Sequence, residues 1–220
     1  MNDANTGKGL AQKVGYYVAL PSYKTSHGFP ESLPVYTNKR SKPLTTGRLT
    51  ERINAAFLPD GKALRPEYFI KGSEIHGNLA YLVLGLDEKQ DYNLASGLIA
   101  KEVEINGIKV VVYDIIFVTP PYQRQGHMPK LVEIAGLVEP SEKSKNRQPN
   151  VAILRTKSGY AHAQYSKISD PNIVEVNGFK AHPFGFFNKD GTEKFEGAKA
   201  LFDKSAVGLA SRPENFFLLG

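Results

Sequence analysis

The sequence predicts an α+β fold on a mixed, mostly antiparallel sheet, and three observations predict it. Residues 78–118 carry three apolar, strand-length runs in succession, separated by turn residues. A segment of helical period follows at 129–138, and a further strand run comes next at 151–156. A strand, a helix and a second strand in that order make a β-α-β crossover, which sets a parallel pair beside the antiparallel meander. With 220 residues, 41% hydrophobic and 23% charged, the chain can bury a full core without covalent staples.

Residues 1–60 read as an irregular extension. A short YYVAL run at 16–20 gives way to Pro21, Gly28, Pro30 and Pro34, which punctuate any longer element. Lys39, Arg40, Lys42 and Arg48 form a loose basic cluster. A helix is predicted at 50–58, with Thr50 as N-cap and Ile53, Ala56 and Phe57 on one face. Residues 78–86 (NLAYLVLGL) then read as a strand closed by a charged turn at 87–91. A second strand at 94–105 ends in Asn106-Gly107, a strong hairpin signal. The third, 108–118 (IKVVVYDIIFV), is apolar at nearly every position, as a central strand buried on both faces must be.

Residues 119–128 (TPPYQRQGHM) break into a loop. The helix at 129–138 places Leu131, Ile134, Ala135 and Val138 at helical spacing, with Pro129 in its first turn. A polar loop at 139–150 leads to the strand at 151–156, a short helix at 158–168 and a strand-like run at 174–187. The chain thus divides into an extension (1–60), a core (61–190) and a C-terminal tail packing on that core (191–220).

Composition narrows the function. There is no cysteine, which excludes disulfides, thiolate nucleophiles and Cys-ligated metal. The five histidines (27, 76, 127, 162, 182) show no ligand spacing, so no metal is expected. No run approaches the ~20 apolar residues that span a bilayer, and residues 1–10 lack the apolar segment of a signal peptide. A cytoplasmic protein without a membrane partner is the expectation. The net charge of +6 favours anionic partners such as nucleotides, phosphorylated cofactors or nucleic acid.

The stretch from Val111 to Val138 carries the chemistry. A buried strand ends at Val118, a loop bears Gln123, Arg124, Gln125 and Gly126, and a helix begins at once. Amides at a helix N-terminus are unpaired and have the helix dipole behind them, so they attract phosphate oxygens. Gly126 permits close backbone approach, and Arg124 or Gln123 adds side-chain donors. On spacing alone, an anion cradle and a plain strand–turn–helix connection fit equally.

Gln123-Arg124-Gln125-Gly126-His127-Met128 resembles the Gln/Arg-x-x-Gly-x-Gly/Ala signature of the GNAT family of acyl-CoA-dependent N-acetyltransferases. In that family it follows the fourth strand and opens the third helix. Val118-Thr119-Pro120-Pro121-Tyr122 is similar to the family's approach to the loop, and Met128 stands where Gly or Ala is usual. Downstream, the strand at 151–156, a helix carrying Tyr165 and then Gly178-Phe179 match the family's order, with an insertion around 169–176. Leu154-Arg155-Thr156 and Phe184-Gly185-Phe186 resemble, more faintly, the acetyltransferase domain of N-acetylglutamate synthase. The resemblance spans roughly residues 75–190.

It implies a GNAT-like fold and acetyl-CoA as co-substrate. Amides of residues 123–128, including His127 and Met128, would hold the pyrophosphate, and the backbone at Phe117 and Val118 would pair with the pantetheine arm. Tyr165 occupies the place of the acid that protonates the departing thiolate. An ungapped count places the family's base at Val112, which cannot act as one. Asp114, two residues on and on the same face of a regular strand, is the candidate. Structural pairing of Asp114 with a Lys or Tyr is the alternative. Glu102 and Glu104 could instead hold water in a relay, and His162 is expected on the surface, facing away from Tyr165. The leading expectation is acetyl transfer to a small-molecule amine or amino acid; proteins of the family are often homodimers, and the sequence itself does not give the oligomeric state. Nucleic acid as substrate, or a non-catalytic binding protein on a degenerate scaffold, are the alternatives.

Overall fold

A computed structural model describes residues 14–19, 32–33, 44–45, 51, 54, 78–87, 93–105, 107–138 and 151–211. The basic cluster at 39–48, most of the helix expected at 50–58, Asn106 and the loop at 139–150 lie outside the described residues.

The sheet has seven strands in the spatial order β1-β4-β5-β6-β7-β9-β8. They are β1 (Val14–Ala19), β4 (Asn78–Asp87), β5 (Asn93–Ile105), β6 (Ile108–Val118), β7 (Ala152–Thr156), β8 (Val174–Val176) and β9 (Phe179–Phe184). A separate two-residue ladder joins β2 (Ser32–Leu33) to β3 (Leu44–Thr45). Three helices complete the described fold: α1 (His127–Gly136), α2 (Gly159–Tyr165) and α3 (Ala198–Ala210). β4, β5 and β6 form the expected antiparallel meander, and β6 pairs in parallel with β7 across α1. The α+β architecture with its crossover is therefore as the sequence predicts. No described helix is long and apolar enough to cross a membrane.

Two differences from the sequence reading matter. Residues 14–19, read there as part of an irregular extension, form the edge strand β1 and pair with β4. The run at 174–187 is two strands, because Asn177 and Gly178 both take positive φ (53° and 76°) and turn the chain back on itself.

Strand alternation sorts the apolar residues into two layers. On one face, Val111, Tyr113, Leu98, Ala152 and Leu154 pack with Leu131, Val132 and Ala135 of α1 and Tyr165 of α2. On the other, Val110, Val112, Val103, Ile105 and Ile153 pack with Phe202, Ala206 and Leu209 of α3 and with Phe186 and Phe187. The tail at 191–220 thus contributes a helix that closes one face. Its Gly208 lies so close over β5 that a Cβ there would collide with the Ile105 side chain.

Candidate acyl-transfer site

The two parallel strands do not stay together. β6 and β7 pair from Val111↔Ala152 to Tyr113↔Leu154 and no further. Beyond that point, among the described strands, β7 continues beside β9, and residues 115–118 of β6 pair with β5. The sheet opens here into a fork, with Phe117 and Val118 of β6 beyond the reach of β7. This is where the sequence placed the pantetheine contact.

A kink in β6 sits at the crotch of the fork. In the β5–β6 ladder Ala100 faces Tyr113 and Ile99 faces Ile115, so Asp114 is an extra residue with no register partner. Such a bulge bends the strand and re-aims its side chains. It also breaks the alternation: Val111 and Tyr113 lie on the α1–α2 face, but the next residue packed there is Ile116. Counting by twos from Val112 to Asp114 therefore does not fix the face of Asp114. Asp114 lies within electrostatic reach of Lys101 on β5 and of Tyr165 on α2. The two partners left open by the sequence, a Lys and a Tyr, are both present.

The loop after β6 is fixed at its root. The Thr119 hydroxyl donates to the carbonyls of Leu94 and Ala95, each at 3.1 Å, and the Thr119 amide donates to Ala95 at 2.9 Å. A single 3₁₀ turn at Pro120–Tyr122 follows, and the buried Tyr122 hydroxyl donates to Asp87 Oδ2 at 2.9 Å. Burial and that carboxylate push the Tyr122 phenol up to about 12. The side-chain amides of Gln123 and Gln125 turn inward, donating to the carbonyls of Val118 (3.2 Å) and Pro121 (3.1 Å). They brace the loop from within.

Its free donors are backbone groups. Arg124 and Gly126 both adopt positive φ (63° and 81°), a conformation that glycine takes without cost. A Cβ on Gly126 would meet nothing within 4 Å, so its backbone borders open space. α1 starts without a side-chain cap and without an acidic residue in its first turn. The amides of Gly126, His127 and Met128 have no acceptor among the described residues. A 10-residue helix with an uncapped N-terminus, beside the mouth of the fork, fits an anion. Met128 does not crowd it, because its side chain packs into the α1–α2 core layer.

His127 faces inward too. It is 9% exposed, and its Nδ1 lies 2.6 Å from the Tyr16 hydroxyl of β1. Burial pushes its pKa down. The ring ties the edge strand to the loop.

Tyr165 ends α2, which starts at Ser158, whose hydroxyl accepts from the Ala161 amide. The Tyr165 ring is buried, and its hydroxyl has no hydrogen-bond partner among the described residues. Burial first, then the charge of Asp114, push this phenol up to about 12, so it stays protonated at neutral pH.

A cluster that the sequence did not reveal supports this tyrosine. His182 of β9 is fully buried, with its ring edge-on to Tyr165 at 5.6 Å between centroids. Its Nε2 lies 3.0 Å from His162 Nδ1 and its Nδ1 lies 3.2 Å from the Ser169 hydroxyl. Burial, helped by His162 and Lys180, pushes the His182 pKa down to about 4. His162 is thus half-buried and part of the site, contrary to its reading as a surface residue facing away from Tyr165. His162 and Tyr165 are three apart on α2, and that spacing was the available signal.

Other candidates are already engaged. Glu102 pairs with Lys109 at 3.4 Å. Arg155 donates to the carbonyl of Leu209 at 2.9 Å and lies over the Phe179 ring. No group of three or more metal-ligating side chains occurs among the described residues.

No family model matches this chain, and no curated protein matches it significantly. Solved structures do. NAA60 of Arabidopsis thaliana, in complex with a bisubstrate analogue, shares 17% identity over 66% of this chain and 94% of its own, with a TM-score of 0.44. The NatC complex bound to Gag peptide and CoA matches at 14% identity over 78% of this chain and 96% of that one, with a TM-score of 0.40. AtaTR bound with AcCoA matches at 14% identity over 56% of this chain and 71% of its own, with a TM-score of 0.38.

Proposed function

We propose that this chain is an acetyl-CoA-dependent N-acetyltransferase acting on the amine of a small molecule or amino acid. One observation carries the reading: the fork between β6 and β7 opens beside the uncapped N-terminus of α1. An extended, phosphate-bearing thioester needs this combination, a splayed strand pair for its amide arm and free amides for its phosphates.

Gly126, His127 and Met128 hold the pyrophosphate through their backbone amides, with Gln123, Arg124 and Gln125 shaping the loop. The stretch of β6 at Phe117 and Val118, beyond its pairing with β7, aligns the pantetheine arm. When bound, acetyl-CoA supplies an acyl group already activated as a thioester. Asp114, at the crotch of the fork, accepts the proton that the acceptor amine must lose. Tyr165 presents an unengaged O–H that its surroundings keep protonated, as an acid for the departing sulfur must be.

Calorimetric titration of acetyl-CoA tests the reading, with Gly126→Asp as control. The substitution sets a negative side chain in the open space above the cradle. Micromolar binding that the control abolishes is the expected result. Absence of binding at millimolar acetyl-CoA overturns the assignment.

A further inference from the structure

Lys101 is the one lysine among the largest fully buried side chains, at 1% exposure in the middle of β5. Its register partner Val112 belongs to the α3-side layer, so Lys101 emerges on that face. Tyr165 lies in the opposite layer. Asp114, displaced by the bulge at the end of the β6–β7 pairing, interacts electrostatically with both. The carboxylate of Asp114 thus acts on one group from each face of the sheet.

A buried ammonium is costly, and an apolar side chain of the same volume serves packing as well or better. Lys101 meets that cost only in part. Burial pulls its pKa down to about 8, while Asp114 opposes the shift. The neighbouring titratable groups have contacts of their own. Tyr81 of β4 donates to the Ala135 carbonyl and stands 3.4 Å from the Tyr113 hydroxyl of β6. Glu102 of β5 pairs with Lys109, and Arg155 of β7 donates to Leu209. His182 of β9 and His162 of α2 bond each other. Asp114 is the charge that works against burial to keep Lys101 an ammonium.

We propose that Lys101 is a positioning residue of the acyl-transfer site, whose ammonium fixes Asp114 as a carboxylate at the crotch of the fork. The inference rests on the acyltransferase reading and deepens it. The amine's proton passes to the Asp114 carboxylate as its nitrogen attacks. Lys101 transfers nothing and acts through Asp114 alone.

The test follows the Asp114 carboxyl directly, by carbon-13 NMR of protein labelled at the aspartate Cγ, with the resonance assigned by its loss in Asp114→Asn. Two titration steps are expected in the wild type: one as Asp114 itself protonates, and a smaller one near pH 8, where Lys101 gives up its proton. Lys101→Arg removes the upper step, since a guanidinium does not titrate there. Lys101→Met shifts the lower step up by about one to three pH units, the usual effect of losing a close opposite charge. If Lys101→Met does not fold, the wild type and Lys101→Arg decide. A wild type without the upper step overturns the inference.

Acetyl transfer to hydroxylamine, followed as released thiol, separates a functional pair from a structural one. The acid limb of the kcat profile should move upward in Lys101→Met, following the carboxyl's own titration, with the KM for acetyl-CoA unchanged. An identical pH profile in both proteins overturns the positioning role. Calorimetry of acetyl-CoA on the same samples tells the two failures apart. Binding without coupled titration removes the inference and leaves the acyltransferase reading. No binding at millimolar removes both.

Discussion

Tyr165 is the residue at which burial and chemistry pull apart. Its ring belongs to the core layer under α2, yet its hydroxyl has no partner among the described residues. Burial and Asp114 both favour the neutral phenol, with its pKa pushed up to about 12. Tyr165→Phe keeps the ring and its packing on His182 but removes the proton. In steady-state assays with an amine acceptor, kcat should fall about 100-fold or more, the usual contribution of a positioned acid. Calorimetry should find acetyl-CoA affinity unchanged. Unchanged kcat would make Tyr165 a packing residue.

At the scale of elements, α2 is a seven-residue helix, too short to hold itself in water, and it is anchored by what it touches. His162 on the helix, His182 on β9 and Ser169 beyond the helix form one hydrogen-bonded chain. The folded protein binds the neutral form of His182, with a pKa of about 4 against an ordinary 6.5. This histidine therefore contributes stability that is complete above pH 6.5. It is lost as pH falls toward 4, because the unfolded chain takes up a proton that the fold refuses. The urea midpoint should hold from pH 8 to 7 and drop steadily between pH 6.5 and 4. His182→Gln should flatten that drop while lowering the midpoint at pH 7. An equal slope in both proteins would assign the acid sensitivity to other groups.

The same element shows what sequence carries and what it does not. Strands β4, β5 and β6 were legible to within one residue at each end, because long apolar runs between turn residues admit one period. The strand–loop–helix connection was legible as well, since Gly126 marks a backbone turn directly before a helix. The bulge at Asp114 was not. A slip of one residue depends on the partner strand, and nothing local in VVVYDIIFV announces it. His182 was hidden for a related reason: it meets His162 and Ser169 only once β9 folds back beside β7. α3 was missed because its apolar positions, Phe202, Ala206 and Leu209, are spaced among Ala, Ser and Gly that carry no strong periodicity.

Across the whole molecule, the net charge of +6 raises the question of a polyanionic partner. The described basic residues answer it in part. Lys109, Lys130, Lys180 and Lys199 each stand beside a carboxylate, of Glu102, Glu133, Glu175 and Asp203 respectively. Exposed pairs like these add little stability, but they dilute the positive field over the surface. Arg155 and Lys157 lie over one aromatic ring, that of Phe179. Among the described residues, these pairs leave no continuous basic track for a phosphate backbone. DNA binding should therefore be weak and non-specific, in the range of about 10⁻⁴ to 10⁻⁶ M at physiological salt. Fluorescence anisotropy of a labelled duplex between 50 and 200 mM salt measures this. Sub-micromolar affinity that falls by roughly a thousandfold or more over that range would reveal six or more phosphate contacts. It would make nucleic acid the acceptor rather than a small amine. A flat, weak response alongside retained acetyl-CoA binding would place the recognition of charge in the fork alone.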